Sequence, residues 1–162
     1  MTTFFPWKDA WRDPAFWIAT WFGSGLIPFA PGTWGTVAAL PFGWALYCAG
    51  GAPALLLGAL VALGTGVWAS NRYMAQTGRH DPGTIVIDEV AGVWITLAAL
   101  PEGAAWYFWL IAFTLFRFFD IVKPWPIRSL DRNLGGGWGV MLDDIVAGLF
   151  GAAALWGIVH VF

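Results

Sequence analysis

Long apolar runs alternate with short polar connections along this chain. Runs long enough to cross or nearly cross a bilayer occupy residues 34–49, 54–69, 85–100, 105–119 and 145–162. A spanning helix needs ~20 residues or a locally thinner membrane, so each run is close to the required length. The pattern predicts an all-α fold, a polytopic helical membrane bundle with about five spanning helices.

The connections between the runs predict how the helices are oriented. Residues 50–53 and 101–104 are short, weakly charged and rich in helix breakers, which indicates tight hairpins. The connections 70–84 and 121–142 hold most of the basic side chains, so the positive-inside rule places them in the cytoplasm. Residues 16–29 must then begin and end on that side. They predict an N-terminal interfacial or re-entrant helix, broken by its glycines and its proline.

Composition supports a membrane environment and narrows the class of protein. The chain is 59% hydrophobic and 11% charged, whereas soluble domains carry roughly 25% charged residues. Its length predicts one integral-membrane domain, residues 1–162. Eight basic against ten acidic residues exclude nucleic acid as a partner recognised by net charge. The N-terminal stretch lacks a convincing cleavage site, so we expect it to be retained at the interface.

Acidic side chains lie at the ends of three apolar runs. Asp88 and Glu89 lie near the start of the third run, Asp120 closes the fourth, and Asp143 and Asp144 open the last. Ionisable groups at membrane depth cost at least ~2.5 kcal/mol each and usually mark a functional site. In the predicted topology all five reach the cytoplasmic boundary, where clustered carboxylates repel unless a cation neutralises them. The sequence therefore predicts a divalent metal site.

The glycine-rich residues 135–139 precede the last of these acidic pairs. They predict a loop that approaches other segments closely and then caps a helix, with Asp143 and Asp144 in the first turn of that helix. In that position the two acids could hold a metal, or they could serve only as partners of the helix dipole.

Two further stretches could contribute to a functional site. One contains Thr33 and Thr36 beside two glycines, where backbone N–H groups could cradle a phosphate; the alternative is a simple turn with a Thr N-cap. The other is His80 and Asp81, which precede the helix of the first acidic pair. Asp81 or Thr84 could equally be the cap of that helix.

Basic side chains accompany the acid of the fourth run. Arg117 and Asp120 are spaced i, i+3 and could simply pair on one helix face. Lys123 follows one turn later, and two cations beside an acidic cluster suit a phosphate monoester. Arg128 lies in a polar loop, where it would contact headgroups loosely.

Four blocks of sequence together resemble the phosphatidylglycerophosphatase A family. They are PGTWGT at 31–36, HDPGTIVIDEVAG at 80–92, FRFFDIVKPWPI at 116–127 and GGGWGVMLDDIVAG at 135–148. The blocks run in order across most of the chain. The resemblance implies a Mg²⁺-dependent phosphatase that removes the terminal phosphate of phosphatidylglycerophosphate. It implies phosphatidylglycerol as the product, formed among the membrane lipids at the cytoplasmic face of a bacterial inner membrane.

The resemblance points at the motif acids and Lys123. Our hypothesis is that Mg²⁺ polarises the phosphoryl oxygens and lowers the pKa of a bound water. The expected metal ligands are Asp88, Glu89, Asp143 and Asp144. The expected catalytic residues are Asp81, Asp120, Lys123 and Arg117, with either Asp81 or Asp120 acting on the water. The expected substrate-binding residues are Thr33, Thr36, His80 and Arg128.

Other functions remain as alternatives at this point. A phosphatase of a related lipid phosphate would need the same residues. A small ion or proton transporter subunit would explain the intramembrane acids, although a relay should place at least one carboxylate at mid-membrane. A lipid-binding structural protein would need no acidic pairs. The chain has no Pro-Ser-Gly-His signature and no Asp-x-Asp pair, which favours water as the attacking group over a phosphoenzyme.

Overall fold

The structure is a computed structural model that describes residues 6–80, 82–129 and 134–161. The described residues form helices and no strand, which confirms the all-α prediction. The helices are α1 (Pro14–Ala19), α2 (Pro31–Thr77), α3 (Ile87–Leu97), α4 (Trp106–Val122) and α5 (Gly136–Val161), with short 3-10 turns at Ala10–Arg12 and Ser24–Leu26.

Helix α2 consists of two arms that fold back on each other. Gly50 (φ −167°, ψ 19°) and Gly51 (φ 60°, ψ −145°) are not helical, and Gly51 adopts a conformation that favours glycine. A Cβ added to Gly58 would lie 2.7 Å from Leu46 Cδ1. A straight helix would hold these two residues about 18 Å apart. The chain therefore reverses between the arms, and the hairpin predicted at residues 50–53 is confirmed.

The start of α5 differs from the prediction. The helix begins at Gly136, so most of the glycine-rich stretch is helical and the predicted capping loop is wrong. Glycine suits this place because a Cβ at Gly137 would collide with the Val67 carbonyl of α2. Asp143 and Asp144 consequently lie about 10 Å along α5 rather than in its first turn.

Two other boundaries also differ from the prediction. The second arm of α2 continues to Thr77, so the connection expected at residues 70–84 is helical for half its length. Near the N-terminus, α1 ends at Ala19, because Trp21, Phe22 and Gly23 all have positive φ. The break therefore comes earlier than the glycines and proline of residues 16–29 predicted.

Helix α1 is fixed to α2 by one acidic side chain. Asp13 Oδ1 accepts from the Ala15 N–H at 3.0 Å and so caps α1. Its other oxygen accepts from Arg72 Nε at 2.7 Å. The N-terminal helix is thereby held beside the second arm of α2.

In the part of the chain that the structure describes, two helices, α2 and α5, are long and apolar enough to cross a membrane by length and composition. Helix α4 has 17 residues and α3 only 11, less than the ~20 of a full span. Helix α3 is central: it packs against α2, α4 and α5, and Val90 through Leu97 are buried. By this measure the described residues give two candidate spans, and the prediction of about five is not confirmed.

Helices α3 and α5 approach each other closely through glycines. A Cβ at Gly148 would collide with the Gly92 carbonyl and lie 3.0 Å from Gly92 Cα. One turn further along α3, Thr96 Oγ1 donates to the Gly148 carbonyl at 3.1 Å. Small residues allow two helix backbones to approach in this way.

We expect Gly148→Ala to destabilise the protein by about 1–3 kcal/mol, because the added methyl group overpacks the α3–α5 contact. Thermal unfolding in detergent should show a lower midpoint. Gly157→Ala is the matched control in the same helix, since a Cβ there meets no atom within 4 Å. Ala raises helix propensity at both positions, so an equal loss in both variants would mean that the close contact at Gly148 does not govern the effect.

Candidate active site

A cavity of about 520 Å³ lies where the starts of α2 and α3, the end of α4 and the first half of α5 meet. The structure brings all five predicted acids to this cavity, together with the two basic residues of α4 and one histidine. These lining residues are Asp88, Glu89, Asp120, Asp143, Asp144, Arg117, Lys123 and His80.

Three carboxylates form the core of the site. Asp88, Glu89 and Asp144 each offer one oxygen, and these oxygens lie within 4.8 Å of one another. Asp88 Oδ1, Glu89 Oε2 and Asp144 Oδ2 are buried without a hydrogen-bond donor among the described residues. Burying such groups unpaired is costly. A hard divalent cation fits this set because carboxylate oxygens are the ligands it prefers.

Arg117 connects two of the acids from α4. Its Nη1 pairs with Asp120 Oδ2 and lies 3.8 Å from Glu89 Oε1. The i, i+3 ion pair that the spacing suggested is therefore present. Because Arg117 is largely buried and held from two sides, its guanidinium is fixed at the cavity wall.

Lys123 reaches the site from the C-terminal cap of α4. The residue adopts a left-handed conformation (φ 46°) that ends the helix. Its Nζ lies 2.6 Å from Asp143 Oδ2 on α5. This ion pair joins the two helices and places a flexible cation at the edge of the carboxylate cluster.

The charges of the site do not balance on their own. The five carboxyls lie close enough to repel one another when ionised. If all five were ionised, Arg117 and Lys123 would oppose them among the charged lining residues that the structure describes, and an excess of three negative charges would remain. A phosphate monoester adds about −1.5 to −2. Added cations would offset this repulsion between the ionised acids and a phosphate.

The start of α2 contributes its backbone to the site rather than its hydroxyls. Gly32 lines the cavity, and a Cβ there would collide with Glu89 Oε1. Thr33 and Thr36 are not among the lining residues, and Thr36 Oγ1 donates to the Gly32 carbonyl at 2.8 Å. The alternative of a Thr N-cap is wrong, because α2 begins at Pro31 without a side-chain cap.

Of the other residues expected at the site, one lines the cavity and the rest do not or lie outside the described residues. His80 lines the cavity, whereas Arg128 is exposed and is not part of its lining. Asp81 lies outside the described residues. Thr84 is not the cap of α3; its hydroxyl is hydrogen-bonded to Tyr73 OH at 2.9 Å. The roles expected for His80, Arg128 and Asp81 stay predictions.

Asn71 is a residue that the sequence analysis missed. Its Oδ1 accepts from the Gly137 N–H at 2.7 Å and so holds the start of α5 against α2. Its position inside a predicted connection concealed this role. An amide facing the first turn of a helix satisfies one of the free N–H groups there.

Comparison with known proteins gives the family. The family model for phosphatidylglycerophosphatase A matches residues 17–159. Phosphatidylglycerophosphatase A of Escherichia coli (strain K12) is 46% identical over 150 residues, which cover 91% of this chain and 85% of that protein. The protein of the same name from Haemophilus influenzae is 42% identical over 151 residues, which cover 93% and 92%.

A third relative carries a different name. A Bacteroides thetaiotaomicron protein described as "Putative phosphatidylinositol-3-phosphatase" is 47% identical over 148 residues, which cover 86% of this chain and 92% of that protein. No solved structure matches the chain. The family model and the relatives confirm the resemblance of the four sequence blocks: the chain belongs to the phosphatidylglycerophosphatase A family and is a phosphatase.

Proposed function

We propose that this protein hydrolyses the terminal phosphate monoester of phosphatidylglycerophosphate in a Mg²⁺-dependent reaction, giving phosphatidylglycerol and phosphate. The observation that carries the proposal is the convergence of three buried carboxylate oxygens with Arg117 and Lys123 on one cavity. The names of two relatives supply the substrate. Membership of a phosphatase family favours this function over a transporter subunit.

Asp88, Glu89 and Asp144 would hold the metal. Asp143 is the fourth candidate ligand, and its contact with Lys123 keeps it beside the other three. When bound there, Mg²⁺ would polarise the phosphoryl oxygens and acidify a nearby water. The buried oxygens without donors support this assignment, because a cation would satisfy them.

The protein's own cations would bind the phosphoryl group. Lys123 Nζ can turn from Asp143 to a phosphoryl oxygen, since a lysine ammonium is a mobile point charge. Arg117 stays fixed by Glu89 and Asp120 and presents its charge in one direction. Charge that develops on the phosphoryl oxygens is thereby stabilised from two sides.

Asp120 is the candidate within the described residues to orient and deprotonate the water. It lines the cavity, and its pairing with Arg117 fixes its carboxylate. In the reaction the water oxygen attacks phosphorus, the bond from phosphorus to the headgroup oxygen breaks, and that oxygen takes a proton. Asp81 remains the alternative base.

The proposed setting is the inner membrane of a bacterium, with the site on the cytoplasmic side. The two arms of α2 and helices α3, α4 and α5 would make five crossings. Tyr47 OH donates to the Pro101 carbonyl at 2.6 Å, so the two short turns lie at the same end of the bundle. Most of α3 is buried against α2, α4 and α5, so it need not match the length of a lipid-exposed span.

A related lipid phosphate is the second candidate substrate. The Bacteroides relative favours this candidate, because its name specifies an inositol lipid. Its sequence identity to this chain is close to that of the other two relatives. Both substrates present a phosphate monoester to the same cluster. A direct comparison of their turnover would distinguish them.

We expect purified protein to release phosphate from phosphatidylglycerophosphate only when Mg²⁺ is present. EDTA should stop the reaction and excess Mg²⁺ should restore it, because added cations would offset the repulsion between the ionised carboxylates and the phosphate. Released phosphate is measured for both candidate lipids. Full activity in EDTA would disprove the metal assignment, and faster release from the inositol lipid would reassign the substrate.

Glu89→Gln and Asp144→Asn should each reduce turnover about 10²-fold or more, because they remove a charged ligand with little change in shape. Glu102→Gln is the matched control, since Glu102 is exposed in the turn between α3 and α4. Thermal unfolding of all three variants should confirm that they fold. Normal turnover in either site variant would remove that residue from the metal site.

The topology can be tested by cysteine labelling in a Cys48→Ser background. A cysteine at exposed Gln76 should react with a membrane-impermeant reagent only after the membrane is opened, because basic connections favour the cytoplasm. A cysteine at exposed Glu102 should react in intact spheroplasts. Labelling in the reverse order would place the active site on the outer face.

A further inference from the structure

One edge of the active-site cavity is apolar and exposed. Ile121 and Leu134 line the cavity beside Lys123, yet Ile121 is 69% exposed and Leu134 is also exposed. Two exposed tryptophans lie within four residues of them along the chain, Trp125 (83%) and Trp138. We call Ile121, Trp125, Leu134 and Trp138 the apolar rim.

The apolar rim lies at the ends of α4 and α5 that carry the catalytic charges. Ile121 lies in the last turn of α4, two residues before Lys123, and Leu134 and Trp138 lie at the start of α5. A group of large exposed apolar side chains next to a charged cavity marks an interaction site. Tryptophan is also enriched at the headgroup level of a membrane.

We infer that the apolar rim binds the glycerol backbone and the first acyl carbons of the lipid substrate while the cavity holds its phosphate. The inference rests on the proposed function. A phospholipid monoester has a charged end joined to an apolar body, and the site presents charged and apolar groups in the same order. Arg117 and the carboxylate cluster lie inside, and Ile121 and Leu134 lie at the opening.

The alternative is that these tryptophans only anchor the protein in the interface. Trp106 and Trp156 provide the comparison, because they lie near the opposite ends of α4 and α5. Trp106 is 73% exposed. Like Trp125 and Trp138, these two tryptophans do not line the cavity, so the two pairs differ in the helix ends at which they lie. If the tryptophans only anchored the protein, those at both ends of α4 and α5 would matter equally for activity. Substrate binding would require only the end that carries the apolar rim.

The two functions also differ in their kinetic effect. Apolar contacts with the lipid body are made equally before and during phosphate transfer, so their loss raises KM and spares kcat. The effect should also depend on the acyl chains of the substrate. Damage to the catalytic cluster would instead lower kcat for every substrate.

The experiment compares Trp125→Ser, Trp125→Phe and Trp106→Ser. KM is measured for long-chain phosphatidylglycerophosphate in phosphatidylcholine vesicles and for its water-soluble dibutanoyl form. Where the dibutanoyl form is turned over slowly, its constant for inhibiting hydrolysis of the long-chain lipid is measured instead. We expect Trp125→Ser to raise the ratio of the KM for the long-chain lipid to the constant for the dibutanoyl form about tenfold. Trp125→Phe should recover most of the loss, and Trp106→Ser should leave the ratio unchanged.

Three results would overturn the inference. They are an unchanged ratio in Trp125→Ser, an equal loss on both substrates, and an equal change of the ratio in Trp106→Ser. Hydrolysis of neither substrate by the unmodified protein would instead refute the proposed function. The two failures are therefore distinguishable.

Discussion

The contact between α3 and α5 is the constraint on which the active site depends. Gly92 and Gly148 let the two backbones approach more closely than any larger side chain would allow. One helix carries Asp88 and Glu89 and the other carries Asp144, so this spacing sets the distance between their carboxylates. A wider separation would leave the acids too far apart to share a cation.

The carboxylates of the site repel one another when ionised, and few basic side chains pair with them. Burying several like charges costs more than isolated ion pairs return, and here Arg117 and Lys123 offset only part of the negative charge. The rest of the protein must therefore hold the acids in place. The Arg117 bridge to Asp120 and the Asn71 contact with α5 do this from two different helices.

The convergence of the acids could be predicted from the sequence, but the start of α5 could not. Apolar run lengths and basic connections determine which helix ends meet, and this was enough to bring Asp88, Asp120 and Asp144 together. Glycine has a low helix propensity, so residues 135–139 resembled a loop. In the structure the helix begins at Gly136, its Gly137 N–H donates to Asn71 Oδ1, and the lack of a side chain on Gly137 avoids a clash with the Val67 carbonyl.

The charge balance also suggests an order of binding. A phosphate monoester that entered before any cation would raise the negative excess of the site further. A cation at the carboxylate cluster reverses this, because it attracts the phosphate that the cluster alone would repel. In the proposed reaction Lys123 would then exchange Asp143 for the phosphate, and the bound cation would offset the charge of Asp143. Under the proposed function, metal binding would therefore precede productive binding of the lipid.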